Sequence, residues 1–421
     1  MKDEMGTQNI IPIVKNYFYE ANTNKILRGS YESIIENEFN NKHEVTLMSS
    51  FVDVKLKKLT ITVTNACNLN CSYCYAGGGS YNKAVKTMTK KLAKEVVNWM
   101  LMTFKLGIEN VQFFGGEPLL ALNIIGFICE EIERRCSENN NLIKPQYYSI
   151  VTNGTLLTNK AQEILNKYKI NLTISLDGPQ DSHDAFRVYK KSNKGSYNDI
   201  LTLLKKNELN REYNIAFQVT VTDDLVPIMT PINICEFFSL LESFNPSLIH
   251  INHVTQIRSE NEEKVSIAEW ERFNRDLYDY IYKLGIKKMY KDVIGTLSKI
   301  SKPISAVCDN YCSAGINEFC VDEVGGIYPC FMFQEFPEYQ ISHILEYESQ
   351  EMDKSIKNFQ TIKKSDNSKC LSCWLRNQCS SCIAEGLLVN KEVGNNSNLM
   401  CENKKNKMLE VLKHELVGEL E

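Results

Sequence analysis

The sequence lacks an excess of charge of either sign: 48 basic residues stand against 52 acidic ones in 421. Such a balance gives no electrostatic footprint for nucleic acid or for an anionic membrane, and neither partner is expected. It also lacks a long apolar run; no stretch reaches the ~20 residues that a membrane span needs. There is no signal-like opening, because Met1 to Asn9 is polar and charged, and the expected location is a cytoplasm. Nor are the cysteines scattered as in a secreted disulfide framework. Of 15 cysteines, Cys67, Cys71 and Cys74 sit together, nine lie between Cys308 and Cys401, and Cys129, Cys136 and Cys235 stand alone. Clustered thiols in a large chain favour metal ligation in a reducing compartment. The three isolated cysteines are expected to pack in the core as small hydrophobes.

The chain is long enough for two or three domains. Leu59 to Thr64 alternates and is β-branched, which predicts a strand, and the cysteine triplet follows at once with the spacing Cys-x3-Cys-x2-Cys. Each iron of a cubane iron–sulfur cluster takes one thiolate. Three local thiolates therefore leave one corner open to a small molecule. Three cysteines with no fourth ligand make a poor structural zinc site, since those are closed and four-coordinate.

From Leu59 onward the pattern alternates between strand and helix. Strands are predicted near residues 59–64, 111–114, 147–151, 171–176, 214–222 and 248–252. Helices are predicted at 90–106, 120–136, 160–168, 197–207, 232–244 and 267–284. Consecutive βα units imply a parallel sheet with right-handed crossovers. In parallel barrels ligands sit at the carboxyl ends of the strands, and four polar segments fall there. Gly115-Gly116-Glu117-Pro118 ends the second strand, with glycines that let backbone approach a ligand and a carboxylate that can accept from an ammonium group. Thr152-Asn153-Gly154-Thr155 ends the third. Ser175-Leu176-Asp177-Gly178-Pro179 ends the fourth, followed by His183-Asp184 and Arg187, whose fork suits a carboxylate. Gln218 and Thr220 alternate on the fifth. His183, His250 and His253 lie near strand ends and are expected to be hydrogen-bonded fillers.

The cysteine spacing, with Tyr73 before the third cysteine, resembles the radical S-adenosylmethionine (SAM) superfamily. The resemblance implies an α/β fold, an open partial (β/α)6 barrel. It implies a [4Fe–4S] cluster on Cys67, Cys71 and Cys74 whose open iron chelates SAM, and reductive cleavage of SAM to a 5′-deoxyadenosyl radical that abstracts hydrogen. By the same resemblance Gly115, Gly116 and Glu117 serve the methionyl amino group, and Ser175 and Arg187 contact the carboxylate. Asn153 and Asp177 line the pocket, and Tyr73 belongs to the cofactor-binding set; Gln218 and Thr220, by their alternation on the fifth strand, are expected to face the ribose. No catalytic acid or base is assigned.

Past Cys308 the chain becomes loops dense in cysteine. Cys308, Cys312, Tyr328-Pro329-Cys330 and Cys370-x2-Cys373-x5-Cys379-x2-Cys382, then Cys401, resemble the SPASM extension, which ligates two auxiliary [4Fe–4S] clusters. That pattern assigns Cys312, Cys330 and Cys382, with Cys308 upstream, to one cluster, and Cys370, Cys373, Cys379 and Cys401 to the other. Cys320 is left over in a strand-like run. The family usually spaces the last pair as Cys-x3-Cys, so Cys379-x2-Cys382 leaves room for a scheme with one open auxiliary iron. A zinc ribbon over Cys370 to Cys382 is the alternative.

The expected organisation is an N-terminal extension over residues 1–58, the barrel over 59–300, the SPASM domain over 301–405 and a C-terminal helix over 406–421. Tyr17 to Leu27 is read as two strands around an Asn-Thr-Asn turn and Ile34 to Phe39 as a brief helix. This segment resembles part of a leader-peptide-binding element; a structural extension on the barrel is the alternative. Cys74 to Tyr81, Cys-Tyr-Ala-Gly-Gly-Gly-Ser-Tyr, resembles thioether-forming peptide maturases of the six-cysteine, ranthipeptide and sactipeptide type. Sulfatase maturases carry Asp directly after Tyr-Pro-Cys, where this chain has Phe331, which counts against formylglycine formation. The implied activity is oxidative maturation of a ribosomally made, Cys-containing precursor peptide with a leader, most simply by thioether cross-links. Carbon–carbon cross-linking and a non-enzymatic iron–sulfur or zinc scaffold are the other readings. The implied electron donor is a flavodoxin or ferredoxin.

Overall fold

The computed structural model describes residues 10–14, 17–21, 25–28, 55–254, 265–300, 309–347 and 349–418. Three short strands come first, β1 (Ile10–Val14), β2 (Tyr17–Glu20) and β3 (Lys25–Arg28), in an antiparallel sheet of their own. The expected pair of strands from Tyr17 to Leu27 is present as β2 and β3; the expected helix over Ile34 to Phe39 lies outside the described residues.

Six strands then run parallel: β4 (Leu56–Thr64), β5 (Ile108–Gly115), β6 (Tyr147–Thr152), β7 (Ile170–Ser175), β8 (Ile215–Val221) and β9 (Leu248–His253). Between and after them come α1 (Lys90–Thr103), α2 (Leu122–Glu138), α3 (Asn159–Tyr168), α4 (Gln180–Phe186), α5 (Tyr197–Asn207), α6 (Pro231–Ser243), α7 (Ile267–Lys283) and α8 (Lys291–Ile300). The alternation along β4 sorts its side chains onto two faces. Leu59, Ile61 and Val63 pack in the main core beneath the helices, while Thr60 and Thr62 turn inward, toward Gln112 and Cys320. One row of the inner wall sets Ser175, Gln218 and His250 side by side on β7, β8 and β9.

The sheet continues where the sequence shows no βα unit. β10 (Glu318–Val321) pairs parallel with β4, and β11 (Gly326–Tyr328) and β12 (Ser342–His343) extend it antiparallel. The order is β12-β11-β10-β4-β5-β6-β7-β8-β9. β10 satisfies the N–H and C=O row that β4 would otherwise leave open as an edge, and Lys58 and Glu318 pair across it at 2.8 Å. Strands from the cysteine-rich third are thus part of the barrel sheet.

The remaining helices are α9 (Ser349–Thr361), α10 (Ser368–Leu371), α11 (Ile383–Asn390) and α12 (Asn398–Gly418). α12 runs unbroken from before Cys401 through the position where a separate terminal helix was expected. Ile13 and Tyr19 of the leading sheet pack with Leu375 and with Met408, Leu412 and Leu416 of α12. No helix among the described residues is long and apolar enough to cross a membrane.

Candidate active site and cysteine clusters

The cysteine triplet lies in the loop after β4, at the carboxyl end of the sheet. The loop is held from three sides. Asn70 and Ser72 donate backbone N–H groups to Val188 and Phe186 at 2.8 and 3.2 Å. Glu117 N–H donates to Ala66 C=O at 2.7 Å, and Gly116 N–H to Thr64 C=O at 3.0 Å. Gly79 and Gly116 touch so closely that a Cβ on Gly79 would stand 2.5 Å from the Gly116 Cα. A Cβ on Gly116 would run into the Ala66 carbonyl. Only glycine lets β5 lie this near the cysteine loop.

Cys67, Cys71 and Cys74 are all half-buried. Burial pushes the Cys67 thiol up to about 11, with Glu117, Cys71 and Cys74 adding negative charge nearby. Burial also raises Cys71, and the Arg187 guanidinium works against it. Such thiols are protonated when bare and release their protons to a metal. Among the described residues no group of three or more His, Cys, Asp or Glu is placed to hold a single metal ion. A cubane, by contrast, takes its thiolates on separate irons, and the donor set fits one.

Beside the loop stands a buried triad. The Tyr73 hydroxyl donates to Asp177 Oδ2 and accepts from Arg187 Nη1 at 2.7 Å; Nη1 also reaches Asp177 Oδ2 at 3.2 Å. Asp177 Oδ1 accepts the Thr220 N–H at 2.7 Å, which ties β7 to β8. Burial opposes the Arg187 charge, but Tyr73, Cys71 and Asp177 outweigh it and hold the guanidinium protonated. Arg187 Nε is buried with no hydrogen-bond partner among the described residues. A buried guanidinium N–H left unmade is costly, and a carboxylate is the acceptor that suits it best. Ser175 is buried nearby on β7, with half-buried Gln218 as its register neighbour.

Asn153 faces the cysteine loop. Its Nδ2 donates to Asn68 Oδ1 at 2.9 Å and lies 3.9 Å from Cys67 Sγ. Glu117 points the other way, fully buried, with Oε1 accepting from Thr152 Oγ1 at 2.7 Å and from Leu119 N–H at 3.0 Å, and Oε2 from Asn153 N–H at 2.7 Å. Burial raises its carboxyl and these donors pull it back. Its side chain braces the ends of β5 and β6.

Sequence reasoning left Asn68 and Ser196 out of this site. Asn68 lies inside the cysteine spacing, bonded to Thr155 at 2.8 Å, so its position was a usable signal. His183, already named in the run leading to Arg187, is the hydrogen-bonded filler expected of it. Its Nδ1 accepts the Asp177 N–H at 3.2 Å and Nε2 meets Ser196 Oγ at 3.0 Å, and burial lowers it to about 2, so the neutral ring fixes the turn bearing Asp177. Of the other two histidines, His250 meets Lys291 Nζ at 3.2 Å, whereas His253 lies 3.7 Å from Asp223 and edge-on to Trp270 with neither ring nitrogen hydrogen-bonded among the described residues, so it is not the hydrogen-bonded filler expected.

The structure brings the downstream cysteines into two groups. Burial raises Cys330 well above a free thiol, with Cys382, Cys312 and Cys320 adding repulsion. Burial raises Cys401 to about 12, with Cys379, Cys370 and Cys373 as its nearest thiols in effect. Cys308 lies outside the described residues. Cys320 sits fully buried on β10, 3.2 Å from Gln334 Nε2 and 3.8 Å from Thr62 Oγ1, and belongs to the core. Phe331 packs on Phe114 at 4.5 Å between centroids, with the rings tilted by 32°, and meets Tyr75 at 6.2 Å, forming an aromatic wall beside Cys74 and Cys330. Of the three isolated cysteines, Cys129 is buried and Cys136 half-buried on α2, but Cys235 is exposed. Ile234, Phe237, Phe238 and Leu241 form the buried stripe of α6, and Cys235 falls a step of about 100° off it.

The fold and the site are those of an α/β enzyme with three thiols, a close glycine contact and a buried arginine at the carboxyl end of its parallel strands. Residues 61–226 match the Radical SAM superfamily model. The chain is 33% identical over 281 residues to an uncharacterized protein of Methanocaldococcus jannaschii, covering 65% of this chain and 85% of that one. It is 27% identical over 362 residues to the cysteine-type anaerobic sulfatase-maturating enzyme of Clostridium novyi, covering 82% and 93%. The solved structure of native anSMEcpe with bound AdoMet superposes with a TM-score of 0.69 at 20% identity, covering 86% of this chain and 98% of that one, a likeness of fold. The chain belongs to the radical SAM superfamily. Its class is that of oxidoreductase-type enzymes, and SAM with a [4Fe–4S] cluster is its family's cofactor pair.

Proposed function

We propose that this enzyme matures a peptide substrate, cross-linking it through cysteine thioethers. When bound, the cluster and SAM supply a hydrogen-abstracting radical. Cys67, Cys71 and Cys74 hold that cluster, Arg187 and Ser175 take the SAM carboxylate, and the Tyr73–Asp177 pair keeps the guanidinium oriented. Gly115 and Gly116 let the end of β5 close on the cysteine loop, beside the place proposed for the amino group. Cys312, Cys330 and Cys382, with Cys308, hold one auxiliary cluster, and Cys370, Cys373, Cys379 and Cys401 hold the second. The observation that carries the thioether reading is Phe331. Directly after Tyr-Pro-Cys, an aromatic ring packed on Phe114 occupies the position at which a proton-accepting carboxylate would serve formylglycine formation. The aromatic wall beside Cys330 offers no proton acceptor, which weighs against deprotonating a substrate carbon there.

The likeness to the Clostridium novyi enzyme along most of both chains favours a second reading, oxidation of a sulfatase cysteine. One experiment separates the two. Anaerobically reconstituted enzyme, SAM and reductant are incubated with Cys-containing peptides from the open reading frames beside the gene, and in parallel with a sulfatase peptide bearing the target cysteine. Loss of a hydrogen pair per cross-link, with thiols that no longer alkylate, is expected for the first. A hydrazide-reactive aldehyde on the sulfatase peptide, with no cross-link in the others, would replace the thioether reading.

A further inference from the structure

β9 ends the sheet, and its alternation puts Ile249 and Ile251 in the main core and His250 on the inner wall. The start of α8 lies along its edge. Tyr290 bridges to Ile249, and the next residue, Lys291, brings its Nζ to 3.2 Å from His250 Nδ1. Tyr290 is buried and fixes that start, with its hydroxyl donating to Glu242 Oε1 at 2.7 Å. An ammonium only donates, so Nδ1 accepts and the ring keeps its proton on Nε2. Burial, with Lys291 adding to it, lowers the ring to about 4 and holds it neutral. The remaining ammonium N–H groups and Nε2–H therefore stand together, with no acceptor bonded to them among the described residues.

The charges near Lys291 do not neutralise it. Asp292 is held by Lys407 at 2.6 Å, and Glu318 by Lys58 at 2.8 Å and Lys57 at 3.5 Å. Lys291 itself makes no ion pair among the described residues. The walls beside its ammonium thin out the water and lower it; Lys58 and Lys57 repel it, while Asp292 and Glu318 draw it the other way. Lys58 and Glu318 act on Lys291 although β4 and β10 lie far from β9 in the strand order, so the curled sheet brings its two sides together here. Lys291 is exposed and His250 half-buried, and a solute can reach both.

We infer that Lys291 and His250 form an anion subsite on the inner wall that holds a carboxylate of the peptide substrate. The inference rests on the reading of this protein as a peptide-maturing enzyme. A positive charge with one neutral N–H donor beside it, and no counter-ion of its own, is matched by a carboxylate, whose two oxygens accept from both. The subsite shares its register row with Gln218 and Ser175. Two strand spacings, roughly 10 Å, separate His250 from Ser175, the residue proposed for the SAM carboxylate. An extended peptide covers that distance in about three residues. The carboxylate thus belongs to an acidic side chain, or to a chain terminus, within a few residues of the modified position. His250 sets the direction of the Lys291 ammonium and supplies the neutral donor; Lys291 supplies the charge.

The test uses anaerobic holoenzyme with SAM and three short probes carrying an uncharged fluorophore: acetyl-Ala-Cys-Gly-Glu-amide, its Gln isostere, and acetyl-Ala-Cys-Gly-Gln with a free C-terminus. Fluorescence anisotropy reads affinity. Brief acetylation by an N-hydroxysuccinimide ester, followed by peptide mapping, reads Lys291 against exposed Lys105. An acidic probe is expected to bind about tenfold more tightly than the neutral one, the worth of one charge-assisted hydrogen bond. It should also slow acetylation at Lys291 and not at Lys105. Which acidic probe does so tells a side-chain carboxylate from a terminal one. In K291Q the preference is expected to vanish while the neutral probe binds as in the parent, and K291R should keep it. Equal binding of all three probes, binding of none, or a preference that survives K291Q would overturn the inference. So would a loss in K291Q that is the same for acidic and neutral probes, which would make Lys291 a support for β9. The two readings fail separately. A carboxylate preference with no modification of the peptides encoded beside the gene would remove the cross-linking function and leave the subsite; modified peptides without the preference would do the reverse.

Discussion

Glu117 accepts the backbone N–H of Asn153 at 2.7 Å, joining the carboxyl ends of two neighbouring strands through one buried carboxylate. Replacing it with Ala leaves that N–H, the Leu119 N–H and the Thr152 hydroxyl unpaired in the interior. Each such loss costs about 1–3 kcal/mol. E117A is therefore expected to lower unfolding stability by at least about 2 kcal/mol and to weaken SAM binding through displaced Asn153. E117Q keeps one acceptor oxygen but sets an amide donor against the remaining N–H, so it should recover only part of the stability. Urea unfolding and equilibrium SAM binding check both.

Tyr73 links Asp177 to Arg187 through its hydroxyl. Y73F keeps the ring and removes that link. SAM affinity is expected to drop about tenfold, the equivalent of one ordinary hydrogen bond at about 1.4 kcal/mol. Iron content should be unchanged, because the cysteines are untouched. Loss of iron together with affinity would show that Tyr73 supports the loop and not the carboxylate pocket.

His183 is lowered from 6.5 to about 2 by burial, with Arg187 adding to it. The folded ring thus stays neutral while the unfolded one takes a proton below about pH 6.5. Its contribution is complete above that pH and is lost as pH falls toward 2, at up to about 1.4 kcal/mol per unit. H183N, which keeps an acceptor for Asp177 N–H, is expected to show a pH slope between 6.5 and 5 shallower by about that amount.

The Cys67 thiol, pushed up to about 11 from 9.0 by burial, should be slow to alkylate once iron is stripped. At pH 8 the thiolate fraction is expected to be about 100-fold below that of an unperturbed thiol, and the iodoacetamide rate, partly offset by the stronger nucleophilicity of the more basic thiolate, about tenfold below. Peptide mapping after timed alkylation reads Cys67 against exposed Cys235. A rate at Cys67 equal to that at Cys235 would contradict the burial of the loop.

Much of the barrel was legible because its strands are β-branched and its helices striped. The predicted strand near 147–151 is found at Tyr147–Thr152, and the helix predicted at 197–207 at Tyr197–Asn207. The extension of the sheet was not. β10 to β12 are two to four residues long, and pairing of Glu318 with Lys58 leaves no mark on local periodicity. Cys235 was misread for a related reason: an apolar stretch of sequence does not say which residue falls off the buried stripe. In the site, residue types were visible and directions were not. Glu117 was read as facing a ligand, yet its oxygens turn to Thr152 and Asn153. His183 and Ser196 meet only because α4 and α5 fold against each other.

The packing of Ile13 and Tyr19 on Met408, Leu412 and Leu416 has a consequence for biogenesis. The partner of the leading strands emerges from the ribosome hundreds of residues after them. Until then their apolar face has nothing native to rest on, and a small sheet alone is marginal in water. Maturation of this enzyme therefore closes last at the seam between its two ends, after the metal-binding segments have been made, and a nascent chain stalled before α12 should be the species that chaperones retain.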